Sequence, residues 1–167
     1  DWLADKYAVT TLPAVSSLRA LRVLGKSAKP GRDPFVGFGD PVLKGEPGDR
    51  RGISIVPIFN KGSVANRTEI RKLAPLPETA DELRVIAKAL GASNDNIHLG
   101  EEATETKVKS LDLSKTNVVA FATHGLVAGE LSGVSEPGLI MTPPETASSH
   151  DDGVLTASEV AQLKLHP

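Results

Sequence analysis

Asn117-Val118-Val119-Ala120-Phe121-Ala122-Thr123-His124-Gly125 is the stretch on which the reading of this chain turns. Val118 to Ala122 is an unbroken apolar run. It lacks the alternation of a strand with one wet face, and so reads as a strand of a parallel sheet covered on both faces. His124 and Gly125 stand at its C-terminal end, where open α/β sheets bind their ligands. A histidine there reaches solvent while the sheet holds its backbone. Gly125 lets the chain turn sharply and lets its N–H approach a substrate oxygen. On spacing alone a second reading stands beside this one, in which His124 merely ends a strand and hydrogen-bonds a loop.

Outward from this stretch, strands and helices alternate. Upstream, Lys6 to Leu12 reads as a strand stopped by Pro13, and Val15, Leu18 and Leu21 recur at helical spacing. Phe35 to Phe38 is a short buried strand that Gly39-Asp40-Pro41 is expected to end as a turn. Gly45 to Leu76 reads as a long excursion with one edge strand or hairpin near Ile53–Phe59, where Pro57 argues against a central position. Thr79-Ala80-Asp81-Glu82 has the form of a capping box. It would open a helix with Leu83, Ile86, Ala87 and Leu90 on one face and Gly91 as its C-terminal cap. Asn96 to Leu99 reads as a strand, and Thr104 can start a helix facing inward through Val108 and Leu111. Downstream, a glycine-rich loop leads to a strand at Gly138-Leu139-Ile140-Met141, and the polar run Pro143–Gly153 reads as a mobile loop. Thr156-Ala157-Ser158-Glu159 is a second capping box, opening a helix that faces inward through Val160 and Leu163. This alternation predicts an α/β fold with a largely parallel sheet.

Composition narrows the function. The 167 residues suffice for one domain with a sizeable core. A net charge of -2 and an aromatic content of 4% argue against a nucleic-acid surface, and no apolar run approaches a membrane span. Cysteine is absent, which excludes disulfides, zinc–thiolate sites and a thiol nucleophile within these residues. His98, His150 and His166 show no metal-binding spacing, and the His150-Asp151-Asp152 cluster reads first as a solvated turn. Gly37-Phe38-Gly39 lacks the rest of a dinucleotide fingerprint. Gly133-Val134-Ser135-Glu136-Pro137 lacks the last glycine of a serine-hydrolase elbow. The sequon Asn66-Arg67-Thr68 is short enough to arise by chance. No cofactor and no metal are expected.

Phe121 to Gly125, Gly138 to Met141, and Asp151-Asp152-Gly153-Val154-Leu155-Thr156-Ala157-Ser158-Glu159-Val160 with Leu163-Lys164-Leu165 resemble the CHAT domain. This family is caspase-like and separase-like, and in bacteria it often follows tetratricopeptide repeats. Tyr7 to Leu21 looks like the family's opening strand and helix, and Phe38-Gly39-Asp40-Pro41 like its next strand end. Leu76 to Leu90 and Leu99 to Thr104 look like its middle section, so the likeness covers nearly the whole chain in order.

The resemblance implies a caspase-like three-layer α/β/α fold with a mostly parallel sheet, incomplete at its C-terminal side. It implies a partial domain, the N-terminal portion of a cysteine endopeptidase that is inactive in isolation. His124 matches the family's catalytic base and Gly125 its oxyanion donor. The strand that delivers the cysteine would follow Leu163-Lys164-Leu165, beyond Pro167. Asp151 and Asp152 are candidates for holding a basic substrate side chain, against the plainer reading of a solvated loop. The expected partners are a protein or peptide substrate, tetratricopeptide repeats in the parent chain, and a second copy along an open sheet edge. Neither nucleic acid nor membrane is expected, and a cytoplasmic setting is typical of the family. The alternative is a non-catalytic CHAT-like signalling or protein-interaction module.

Overall fold

The computed structural model describes residues 32–46, 64–127 and 136–165. All but Arg32 belong to one compact unit, Asp33–Pro167. The strand and helix expected within residues 6–21, the edge strand expected near 53–59 and most of the glycine-rich loop after Gly125 lie outside the described residues.

Strand β1, Val36–Pro41, is the centre of a parallel sheet. Strand β2, Ile97–Gly100, pairs along one side of it, and strand β3, Val119–Ala122, along the other. The sheet is covered on both faces, as the apolar run of β3 predicted. Val36 and Phe38 pack with Val108, Leu113, Met141 and Leu155 on one face. Phe35 packs with Leu83 and Ala87 on the other. The period of two along a strand divides Phe35 from Val36 in this way. Phe38 is fully buried, with ring centroids 5.3 Å from Phe121 and 5.0 Å from His98. Gly39 makes room for the covering helix, because a Cβ there would stand 2.7 Å from Leu83 Cδ1 and 3.0 Å from the Ala122 carbonyl. All four residues of β3 remain half-buried. Its outer edge faces no strand among the described residues.

Four α-helices are found among the described residues: α1 (Arg67–Arg71), α2 (Glu78–Leu90), α3 (Glu105–Ser110) and α4 (Ala157–Val160). Helix α1 corrects the reading of the 45–76 excursion. Asn66 of the sequon caps it by accepting from the Thr68 N–H, as short polar side chains do at helix starts. Helix α2 ends as expected, at Gly91 in the left-handed region with φ 71°. Its start is corrected. The cap position is Pro77 with no side-chain cap, and Thr79 lies inside the first turn. The Thr79 hydroxyl donates to the Leu76 carbonyl and accepts the Asp40 N–H, so it ties the helix to the end of β1. The second capping box forms as read, with Thr156 and Glu159 bonding each other's backbone N–H.

A second, antiparallel sheet has the order β4 (Gly125–Leu126), β5 (Gly138–Ile140), β6 (Val154–Thr156). Leu126, Ile140 and Val154 pack with Leu43, Ala65 and Ile70. The 143–153 segment is not the free loop expected from its polarity. Asp151, Asp152 and Gly153 are buried at its end. Gly39-Asp40-Pro41 is not a turn either. Pairing continues to Pro41, with a register shift between Gly39 and Pro41 and with Asp40 at φ 46°. Turn-type residues here make a bulge, which tolerates a proline inside a sheet.

Candidate functional site

The site lies where the two sheets meet. Strand β3 ends at Ala122, Thr123 and His124 follow, and β4 begins at Gly125. Thr123 anchors this seam by donating from its hydroxyl to the Ile140 carbonyl at 2.5 Å. The Ile140 N–H returns a bond to the His124 carbonyl at 2.9 Å. One residue of β5 therefore holds two consecutive residues of the seam.

The His124 ring is half-buried, and its Nε2 lies 2.8 Å from the Ala74 carbonyl oxygen. A carbonyl can only accept, so this bond fixes the proton on Nε2 and leaves Nδ1 with the basic lone pair. Ala74 comes from the segment between α1 and α2, whose backbone the sequence alone did not place.

Gly125 is exposed and pairs with Leu139. Because Ile140 donates to His124, Gly125 and Leu139 occupy a non-hydrogen-bonded position of the antiparallel ladder. The Gly125 N–H therefore turns away from β5. Strand β4 is an edge of its sheet among the described residues, so no described strand faces that N–H. An oriented imidazole and a backbone donor that no described strand claims, on adjacent residues, can together move a proton and bind an oxyanion.

Asp40 is a residue the sequence reading did not single out. It is the one non-glycine with positive φ among the described residues, and it sits at the same end of the sheet. Burial pushes its carboxyl above the ordinary value, while Arg84 pulls it back and Glu78 adds to the rise.

Asp151 and Asp152, read as a solvated loop or a substrate contact, are 7% and 8% exposed. Asp151 Oδ2 accepts from the N–H and hydroxyl of Thr106. Asp152 accepts from the N–H groups of Ala65 and Val154. Their neighbour is Glu105, which is 1% exposed and whose Oε1 accepts the N–H groups of Asp152, Gly153 and Val154 at 2.7–3.1 Å. Lys109 Nζ bonds Glu105 Oε2 and Glu159 Oε1, each at 2.7 Å, and the His150 carbonyl. Burial pushes the Glu105 carboxyl up to about 7, against the lowering pull of Lys109 and the Asp152 N–H. Burial likewise raises Asp152. These acids serve the chain's own backbone, and the sequence signal for them was only the helix start at Thr104.

Of the other histidines, His98 is buried against Phe38, with Nδ1 3.3 Å from Glu102. The His150 side chain is exposed, and His166 lies outside the described residues. No group of residues suited to a metal ion occurs among the described residues. No helix among them is long and apolar enough to cross a membrane.

A family model for the CHAT domain matches residues 1–167. No curated protein and no solved structure matches the chain. The chain belongs to the CHAT domain family, a caspase-like and peptidase-related family.

Proposed function

We propose that this CHAT domain carries the base and oxyanion half of a cysteine endopeptidase site, within a caspase-like three-layer fold. The observation that carries the reading is the Nε2 bond from His124 to the Ala74 carbonyl, beside the outward-facing N–H of Gly125. A general base needs a fixed tautomer with its lone pair free. An oxyanion donor needs an N–H not already spent in a sheet.

In the proposed reaction, His124 Nδ1 takes the proton of a thiol. The thiolate attacks the scissile peptide carbonyl, and the Gly125 N–H binds the oxygen that becomes negative. The imidazolium then delivers its proton to the departing amine, leaving a thioester that water hydrolyses with His124 again as base. The 167 residues contain no cysteine, so the thiol in this scheme is supplied from outside them. The chain by itself would bind and orient without cleaving. Asp151 and Asp152 enter the proposal as part of the frame beneath the site. The proposed partners are a protein or peptide substrate, attached tetratricopeptide repeats, and a strand added along the edge of β3 that no described strand covers. Where no other strand is offered, a second copy supplies it, which sedimentation of the isolated chain would reveal as a dimer.

The test uses the protein together with the residues that follow Pro167, assayed on a peptide library. We expect cleavage that depends on a cysteine there. His124→Ala should lower kcat by roughly 10²–10⁴, the range for a lost general base. If no cysteine follows, or if cleavage survives His124→Ala unchanged, the catalytic reading fails and the interaction-module reading replaces it.

A further inference from the structure

We propose that Glu105 is the positioning residue for His124, acting through Val154 and Ile140. The path is continuous. Glu105 Oε1 accepts the Val154 N–H at 3.1 Å, together with the N–H groups of Asp152 and Gly153 just before it. Val154 stands opposite Ile140 across β5 and β6 in a non-hydrogen-bonded pair, and the bond that joins the strands beside it runs from the Met141 N–H to the Gly153 carbonyl at 2.9 Å. Ile140 in turn bonds the His124 carbonyl through its N–H and the Thr123 hydroxyl through its carbonyl. The hydrogen bonds along this path lie between buried or half-buried groups, where a hydrogen bond is strong and an unmade one is costly. Glu105 is far from His124 in sequence and bonds no atom of it. Its effect is to fix where β6 begins, hence where β5 lies, hence where the imidazole stands against Ala74.

Three converging N–H groups on one carboxylate oxygen are more than a cap requires. Helix α3 already has its cap, since Thr104 accepts the Lys107 N–H at 3.1 Å. The carboxylate of Glu105 is instead turned toward the 152–154 backbone, which has positive φ at Gly153 (93°). That glycine brings successive N–H groups round a single acceptor, the concave arrangement that holds anions elsewhere. Here the anion is built in. Lys109 holds the other oxygen and links it to Glu159, whose second oxygen accepts from Thr156 at the end of β6. The entry to β6 and its first residue are thus held by Glu105 and its last residue by Glu159, with one ammonium joining the two acids.

This inference deepens the proposed role of His124, yet its test needs neither thiol nor substrate, so it can fail or hold independently of catalysis. The readout is hydrogen exchange of the His124 Nε2–H, followed by NMR in the 167-residue chain and compared with the amide of Phe38 in the parallel sheet. In Glu105→Ala we expect the Nε2–H to exchange at least about tenfold faster relative to the Phe38 amide. Glu105→Gln keeps an oxygen for the 152–154 N–H groups and should restore most of the protection. Should Glu105→Ala not fold, Lys109→Met serves instead. It leaves the carboxylate without its cation and should speed the Nε2–H selectively as well. Equal acceleration at both sites in the folded variant would mean a purely global role and would overturn the proposal. So would an unchanged Nε2–H.

Discussion

The two sheets of this domain are held by different physics. The parallel sheet is an apolar structure: Phe35, Phe38 and Leu83 are buried to within 1%. Its central strand has cover on both faces. The antiparallel sheet has an apolar side too, through Leu126, Ile140 and Val154. Its third strand, however, is bracketed by Glu105, Lys109 and Glu159, with Asp151 and Asp152 beside them. An apolar core is indifferent to a proton, whereas a buried acid cluster with one ammonium is not. His124 and Gly125 lie between the two, so the imidazole stands at the seam after β3 and the oxyanion donor belongs to the titratable sheet.

The largest effect should come from breaking the apolar side. Phe38→Ala removes a fully buried ring that touches both His98 and Phe121. It should cost roughly 3–5 kcal/mol, measured as the loss of unfolding free energy in urea at constant pH. A loss below about 1 kcal/mol would mean that the site collapses around the gap and that the parallel sheet is not the rigid partner.

The polar side should respond to pH. Burial lifts the Glu105 carboxyl from 4.5 to about 7. Between those values the folded chain retains a proton that the unfolded chain has released. Stability is therefore full below pH 4.5 and falls as pH rises through about 7. Asp152, raised by burial as well, acts in the same sense. The decline should be on the order of 1–3 kcal/mol, read as a falling urea midpoint between pH 5 and 8. Glu105→Gln should flatten it. A midpoint that holds steady or climbs over this range would show that the three N–H groups and Lys109 outweigh burial, making Glu105 an ordinary ionised anchor.

The same division explains what could be read from the sequence. Val118 to Ala122 and Phe35 to Phe38 are short apolar runs and the Leu83–Leu90 face is periodic at helical spacing, and these patterns located the parallel sheet and its covering helix. The Thr156–Glu159 box was legible because both partners lie within one turn. The Thr79 box had the same Thr-x-x-Glu pattern and failed, since its hydroxyl found the Asp40 N–H instead, a partner 39 residues away. Asp151 and Asp152 read as solvated because acids usually are. Their burial depends on Thr106, Ala65 and Glu105, all distant in the chain. His124 was found from its place at a strand end, but the Ala74 carbonyl that orients it is a backbone atom, and backbone atoms leave no trace in residue types. Long-range polar pairing is what the sequence concealed, and the titratable sheet consists largely of it.

The smallest predicted effect concerns the place where the apolar sheet carries a polar strain. Asp40 has φ 46° at the end of β1. The left-handed region costs an ordinary residue roughly 1–2 kcal/mol, less for Asp, whose short polar side chain visits it more readily. Asp40→Gly removes that cost. Glycine gives back about 0.5–1 kcal/mol by loosening the unfolded chain. The two nearly cancel, and the carboxyl decides the sign. Burial holds Asp40 above its ordinary value, so its ionised form is disfavoured in the folded state and stability is lost as pH rises through that raised value. Removing the carboxyl should therefore leave stability near wild type at low pH and slightly above it at pH 8, a small effect because solvent screens the group. Urea midpoints of the two proteins at both pH values measure this. A loss at pH 8 would mean that the Asp40 carboxylate makes a favourable contact that outweighs its strain. The polar character of the seam would then extend into the parallel sheet, and the division between the two sheets would begin one residue earlier, inside β1.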